Sequence, residues 1–332
     1  MKIISVVIPC FNEEENVEKV YTEVRNVFKL LQGYMYEIIF IDNASTDRTV
    51  PFLKGIAQKD KNVKIIVNTR NFGHIRSPFY GLIQSSGDAV VLLCADLQDP
   101  PSLIIDFVKK WEEGYKVVLG VKKTSKESST MFTIRKLYYH LIHSISDIEL
   151  TKNNTGFGLY DQEVVEILRK LGDPYPYFRG LISDLGFESA KIEYDQPGRQ
   201  RGISKNNFYT LYDMAMLGIT NHSKIPLRCA TIFGFGVSII SLLVAFGYFI
   251  AKLIYWDSFA IGTAPVVIGL FFFSAVQLFF IGIIGEYLGA VHTQVLRRPL
   301  VIEKERINFD RENHGISLST QENYGRHLTS KK

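Results

Sequence analysis

A chain of 332 residues has room for two ordinary domains, and a net charge of +4 is too small for a nucleic-acid binder. Three cysteines (Cys10, Cys94, Cys229) stand far apart in apolar surroundings. That excludes a disulfide framework or a thiolate metal cage and fits a reducing compartment. The 46% hydrophobic content is uneven, with a soluble-looking region up to about residue 220 and a far more apolar one over 228–296.

Residues 3–9 (IISVVIP) are short, β-branched and closed by a proline, the pattern of a buried parallel strand. They begin straight after Met1-Lys2 with no leader pattern, so the globular part is expected in the cytoplasm. Asn12 and the acids after it start a helix whose apolar face is Val17, Val20, Val24, Val27 and Phe28. Residues 36–42 form a second strand ending in Asp42, 63–67 a third and 89–94 a fourth, with helical stretches between. Such alternation predicts a parallel α/β sheet whose ligands sit outside the strand carboxyl ends. Asn12, Asp42, residues 68–71 and Asp96 all fall at those ends.

The fourth strand runs as LLCADLQDPP over 92–101 and stops abruptly in carboxylates, an amide and two prolines. Asp96 and Gln98, spaced i and i+2 on an extended segment, share one face and offer oxygen ligands to a hard divalent cation. A solvated cap is the plainer reading of acids after a strand. No GxGxxG follows the first strand and no GxxxxGK[ST] occurs, which excludes a dinucleotide dehydrogenase and a P-loop NTPase.

A fifth strand over 116–121 leads into a basic, hydroxyl-rich segment and a long helix over about 130–145. The glycines in NNTGFGLYD (153–161) suggest close backbone approach, and Asp161 is placed to cap the following helix. Beyond the basic loop at 198–205, Phe208, Leu211, Tyr212, Ala215 and Met216 make an amphipathic stripe of the kind that usually packs in a core, and that beside a membrane segment also suits the lipid interface.

Residues 229–251 hold 23 residues without a charge and 258–285 hold 28, each longer than the ~20 that cross a bilayer. Lys252 and Glu286 flank them, with Tyr248, Tyr255 and Trp256 as interface anchors. Arg228 precedes the first span and Arg297-Arg298 follow the second, so both ends are expected on the cytoplasmic side. The expected division is a cytoplasmic domain over 1–200, a basic loop and juxtamembrane helix over 201–227 and a transmembrane hairpin over 228–296 (about 229–254 and 262–288). A polar, poorly ordered cytoplasmic tail over 297–332 completes it.

A cytoplasmic α/β domain with acids on its strand ends, tethered by a membrane hairpin, points to a soluble phosphorylated donor and a lipid acceptor. The motifs SVVIPCFNEEENV (5–17), FIDNASTDRT (40–49), ADLQDPP (95–101), NTGFGLYD (154–161), FRGLI (178–182), RGISK (201–205), GITNHSKIPLR (218–228) and IGEYLG (284–289) carry a resemblance. Together they resemble family 2 glycosyltransferases, and more closely the bacterial polyprenyl-phosphate glycosyltransferases related to dolichyl-phosphate mannose synthase. The resemblance implies a GT-A (Rossmann-like) fold, a nucleotide-sugar donor, Mg²⁺ or Mn²⁺ and inversion at the anomeric carbon. It places Pro9, Phe11, Glu13 and Asp42 around the nucleoside, although helix-start electrostatics also account for Glu13 and a turn cap for Asp42.

On the same pattern Asp96 and Gln98 hold the metal against the diphosphate, and Asp96 counts among the catalytic residues. Lys122, Lys123, Arg135 and Lys136 meet the lipid phosphate, and Arg199, Arg201, Ser204 and Lys205 close over the diphosphate with support from Arg179. The nucleophile, a phosphate oxygen, is already ionised at pH 7; if an acid assists, Asp184 is the first candidate and Asp161 the second. The chain departs from the family where Cys94 and Asn43 replace acids, where no acid stands near Gly156, and where Lys122 replaces arginine. The expected activity is transfer of one sugar to polyprenyl (undecaprenyl) phosphate at the inner membrane, for cell-surface glycan synthesis or modification. The rivals are direct transfer to a polysaccharide or glycolipid, and a degenerate nucleotide- or lipid-binding scaffold. The glycine-containing spans are compatible with a homo-oligomer.

Overall fold

The computed structural model describes residues 1–123, 151, 153–196, 216, 220, 225–254 and 263–309. In chain order they form β1 (Lys2–Cys10), α1 (Val17–Leu30), β2 (Tyr34–Asp42), α2 (Thr49–Lys59), β3 (Val63–Asn68) and α3 (Gly73–Ile83). β4 (Ala89–Leu92), α4 (Ile104–Glu112), β5 (Val117–Lys122), β6 (Asn154–Asp161), α5 (Gln162–Leu171), α6 (Phe178–Asp184) and β7 (Ser189–Tyr194) follow. Two long helices, α7 (Ile225–Ile254) and α8 (Thr263–Leu296), precede a last strand, β8 (Glu303–Ile307).

The strands build one sheet in the order β7-β5-β6-β4-β1-β2-β3-β8. β1 is parallel to β2 and β4, and β2 to β3, because a helix crosses over between each sequential pair. β6 runs antiparallel to both β4 and β5, so β5 and its parallel partner β7 point the same way as β4. The carboxyl ends of β1 to β5 and of β7 therefore share one edge with the start of β6.

Both faces are covered, as the continuous apolar runs require. Ile4, Val6, Ile8, Phe40, Ile65 and Val91 pack on one side with Val20 and Val24 of α1, Leu53 of α2 and Phe107 of α4. Val7, Ile39, Ile41, Val90 and Leu119 pack on the other with Leu82 of α3, Leu168 of α5 and Ile182 of α6. The five apolar positions of α1 are all buried, as their spacing predicts.

The stretch expected to be a loose tail is partly ordered: β8 adds antiparallel to β3 and closes that end of the sheet. Lys54 pairs with Glu305 at 2.6 Å, Tyr80 donates to Glu303 at 2.8 Å, and Asn308 donates to the Ala57 and Val63 carbonyls at 2.8 Å. A strand made of charged residues reads as a tail in sequence, yet charge is what protects an exposed sheet edge.

α7 and α8 expose their apolar side chains, with Ile232 at 73%, Val266 at 70% and Leu278 at 69%. One stretch among the described residues, Phe272–Leu296, is long and apolar enough to cross a bilayer, and Ile225–Val237 is a shorter apolar helix. Apart from Met216 and Thr220, most of the expected basic loop and juxtamembrane helix lies outside the described residues.

Candidate active site

The carboxyl edge of the sheet is built from interlocked loops. Asn12, in a left-handed conformation at φ 57°, accepts from the Thr46 N–H at 2.8 Å on its side chain and donates its own N–H to the Ser45 hydroxyl oxygen at 2.9 Å. Glu13 N–H donates to Thr49 and Glu14 N–H to Asp47, so the β1–α1 and β2–α2 loops are tied together. Glu13 accepts from the Asn16 amide at 2.6 Å, and with Pro9 and Phe11 it stays partly exposed along this wall.

Asp42 is fully buried and closes its own turn, accepting from the Ser45 N–H at 2.9 Å and from the Ser45 hydroxyl. Burial pushes its pKa up, against the opposing pull of the Ser45 and Ala44 donors. The turn-cap role expected for Asp42 as an alternative is thus the one its contacts display. Asn43 explains one departure from the family pattern. Its carbonyl accepts from Asn68 and the Phe72 N–H, while its amide donates to Asn71 at 2.9 Å and to the Gly73 carbonyl at 3.1 Å. A carboxylate has no proton for those last two bonds.

Beyond β4, burial alternates: Leu93, Ala95 and Leu97 face the core, while Cys94, Asp96 and Gln98 reach the surface. That is the shared face expected for Asp96 and Gln98, although the segment is not simply extended. Leu97 takes φ 55°, and the Gln98 N–H turns back onto the Asp96 carboxylate at 3.2 Å. Cys94 is exposed. The dense surroundings of its sulfur, then the Asp99 and Asp96 charges, push the thiol's pKa up, so it stays neutral.

Asp99 is 3% exposed and was not among the residues singled out in the sequence. It accepts from the Tyr194 hydroxyl at the end of β7, and burial raises its pKa while Tyr194 and Lys122 oppose that. Lys122 pairs with Tyr194 in the β5–β7 register, which brings its charge to this edge as expected. Lys123 is exposed next to it and donates its N–H to the Tyr194 carbonyl at 3.0 Å. Only the long-range pairing of β7 could have revealed Asp99 and Tyr194 as partners.

The other candidates separate. Arg179 donates to the Asn154 carbonyl at 3.1 Å, at the start of β6 and so at the same edge, and stacks on Tyr177 at 5.5 Å. Asp184 is exposed at the end of α6, about 140° around the helix from Arg179. Asp161 lies at the opposite edge, because β6 runs antiparallel and pairs Asp161 with Ala89 at the start of β4. There it caps α5 through the Glu163 N–H at 2.9 Å and binds Trp111 at 2.7 Å and Lys116 at 3.2 Å. Burial pushes its pKa up, but these three partners outweigh it and hold the carboxyl below its ordinary value. Asp161 is a structural cap, which corrects its expected place as a second candidate acid. Arg135, Lys136, Arg199, Arg201, Ser204 and Lys205 lie outside the described residues.

Comparison with known proteins places the chain in a family. The family model described as Glycosyl transferase family 2 matches residues 5–168. An SfII prophage-derived bactoprenol glucosyl transferase of Shigella flexneri is 36% identical, over 91% of this chain and 97% of its own length. The chain belongs to glycosyl transferase family 2. An uncharacterized glycosyltransferase of Bacillus subtilis (strain 168) is 32% identical over 92% of this chain and 94% of its own length. Among solved structures, glucosyl-3-phosphoglycerate synthase from Mycobacterium tuberculosis, in complex with Mn²⁺, uridine diphosphate and phosphoglyceric acid, is 20% identical. It aligns with a TM-score of 0.46 over 66% of this chain and 76% of that one. The mixed α/β sheet is the GT-A fold of this glycosyltransferase family.

Proposed function

We propose that this glycosyltransferase moves one sugar from a nucleotide-sugar donor to polyprenyl phosphate at the cytoplasmic face of the membrane, with inversion. The observation that carries this reading is the 36% identity to a bactoprenol glucosyl transferase over 91% of the chain, a span that includes the apolar helices as well as the catalytic sheet. Pro9, Phe11 and Glu13 supply the nucleoside wall, with Asp42 fixing the loop behind them. Lys122, Lys123, Arg135 and Lys136 meet the acceptor phosphate. Arg199, Arg201, Ser204 and Lys205 close over the diphosphate beside Arg179.

Asp96 and Gln98 are the metal ligands in this reading. Among the described residues no three His, Cys, Asp or Glu side chains gather into a self-sufficient cage. One carboxylate and one amide fit a hard cation that takes its other ligands from water and the donor diphosphate. Mg²⁺ or Mn²⁺ bound there supplies charge neutralisation for the departing nucleoside diphosphate. The acceptor phosphate oxygen forms the new bond to the anomeric carbon as the bond to the diphosphate breaks, and the electron pair leaves with the diphosphate. That nucleophile needs no deprotonation, so orientation and leaving-group stabilisation supply the rate. Asp184, on a different helix face from Arg179, fits a mechanism without a dedicated base.

A transmembrane hairpin of α7 and α8 completes the reading. Because β8 pairs with β3, the chain returns to the side of the membrane it left, which requires an even number of crossings. This supports a catalytic domain over 1–200 and a tail over 297–332 on one side, joined through the 201–227 segment and the 228–296 hairpin. The test is a panel of nucleotide sugars offered with undecaprenyl phosphate, followed by mass spectrometry of the lipid extract. One donor should give a polyprenyl-phosphate sugar. Sugar found only in polymer or glycolipid, or no turnover with bound nucleotide, would favour the rivals.

A further inference from the structure

We propose that residues 297–302 and β8 form a strap that holds the carboxyl edge of the sheet toward the bilayer and so governs access to a membrane-embedded acceptor. The inference rests on the membrane hairpin proposed above and adds the residues that fix which edge of the sheet faces the lipid.

The direction of β8 decides the orientation. β3 runs toward the carboxyl edge and β8 lies antiparallel to it, so the chain leaving α8 enters the sheet at the carboxyl edge. A parallel β8 would have brought it in at the amino edge and turned the candidate site away from α8. At the entry, the Thr69 N–H donates to the Ile302 carbonyl at 2.9 Å, one residue beyond the end of β3. Asn68, the last residue of β3, donates to Asn43 at 3.1 Å, so the strap joins the sheet beside the loop network next to Asp42. The connection is short and stiff. Arg297 leaves α8 in a left-handed conformation at φ 44°, and Pro299 bars a return to helix. Fully extended, residues 297–302 span about 20 Å, which limits how far the carboxyl edge can lie from the end of α8. The other connection, residues 195–224 between β7 and α7, is several times longer and sets no comparable limit.

β8 also grips both helical layers. Glu305 pairs with Val67 and Glu303 with Asn68, which leaves Lys304 as the extra residue of a bulge. On the α3 side of that bulge, Glu303 accepts from Tyr80 at 2.8 Å and from Arg306 at 2.7 and 2.9 Å, and Arg306 donates to Gln84 at 2.5 Å. On the α2 side, Lys54 meets Glu305, and Asn308 donates to the Ala57 and Val63 carbonyls. Charge alone protects a sheet edge; anchors on both faces and at both ends are what a strand tied to a membrane helix needs. α8 touches the domain directly as well. In its last turn Gln294 donates to Asp173 at 3.0 Å, and Tyr175, two residues on from Asp173, lies under the Arg76 guanidinium at 5.1 Å. Arg76 is in the first turn of α3, which starts just after β3, so this second tie also lies toward the carboxyl edge.

The test labels the full-length enzyme in vesicles that carry a headgroup-nitroxide lipid. A fluorophore is placed by Arg70→Cys at the carboxyl edge or by Met35→Cys at the amino edge, both exposed positions, each with Cys94→Ser and Cys229→Ser. The Arg70 label should be quenched and the Met35 label should not. A flexible Gly-Ser insertion of about six residues between Arg298 and Pro299, outside the sheet, should release that quenching. With the native cysteines in place, the insertion should lower kcat/KM for undecaprenyl phosphate in vesicles about tenfold, through lost effective concentration and orientation. The donor KM should stay within about twofold, and a short, water-soluble polyprenyl phosphate in detergent should react as with wild type, because neither depends on reaching the bilayer. Tyr80→Phe with Asn308→Gly removes an anchor on each face and leaves the φ of 60° at Asn308 unstrained; the same split is expected at about threefold. Equal quenching at both edges, stronger quenching at Met35, an insertion variant equal to wild type in vesicles, or one that loses both acceptors alike would overturn the proposal. If the doubly substituted protein does not fold, the insertion decides alone. Quenching at Arg70 without transfer to any polyprenyl phosphate sinks the functional reading and leaves the strap standing; transfer with quenching at Met35 sinks only this inference.

Discussion

The two edges of the sheet both bury carboxylates, and they treat them in opposite ways. At the amino edge Glu37 accepts from Lys64, from Ser5, and from the Ser86 N–H and hydroxyl at 2.9 and 2.7 Å. Asp161, at the same edge, is served by Trp111, Lys116 and the start of α5. Burial raises the pKa of both, but the fixed donors win and each ends below its ordinary value. At the carboxyl edge burial wins instead, and Asp42 and Asp99 end above theirs. One edge is electrostatically finished by the protein; at the other, burial is only partly offset by the donors and disfavours the charged form of both acids.

The comparison breaks most visibly on metal removal. A chelator should stop turnover by at least about a thousandfold, and Mg²⁺ or Mn²⁺ should restore it, because leaving-group neutralisation is lost. The thermal midpoint should stay unchanged, since no described cluster forms a structural metal cage. Glu37→Gln tests the other edge: leaving Lys64 without its carboxylate should cost about 3 kcal/mol in chemical denaturation. Turnover at a permissive temperature should remain near wild type.

Acid sharpens the contrast. A depressed carboxylate stabilises fully above its unfolded value, 4.5 for Glu37 and 3.8 for Asp161, and that stability drains away as pH falls through the lower folded value. Wild-type protein should therefore lose stability from about pH 5 downward, and Glu37→Gln should show a shallower loss in a pH series of unfolding midpoints. The smallest effect is Asp161→Asn, expected to cost about 1 kcal/mol through the helix cap and its partners, with kcat unchanged. A large fall in kcat with intact stability would return Asp161 to the catalytic residues.

What could be read beforehand divides along the same physical lines. Apolar runs and helical spacing are local properties, so β1 to β5 and the buried face of α1 were legible. So was the surface pairing of Asp96 with Gln98, which needs only strand alternation. The helix cap at Asp161 was legible from its spacing, but its place as a second candidate acid was not excluded beforehand, because only the antiparallel pairing of β6 puts it at the opposite edge. β8 was misread because edge strands carry charge. The Asn43 amide looked like a lost acid, when its two donated bonds are what the position requires. Asp99 and Tyr194 are 95 residues apart and meet only through the β5–β7 pairing, which no local pattern encodes.

The most direct measurement is the yield of polyprenyl-phosphate sugar from Asp96→Ala, read by mass spectrometry beside its circular dichroism and nucleotide-free thermal midpoint. A folded protein that makes no lipid-linked sugar is the expected result. A folded Asp96→Ala protein that makes it at the wild-type rate would show that the chemistry does not reside at the carboxyl edge of this sheet.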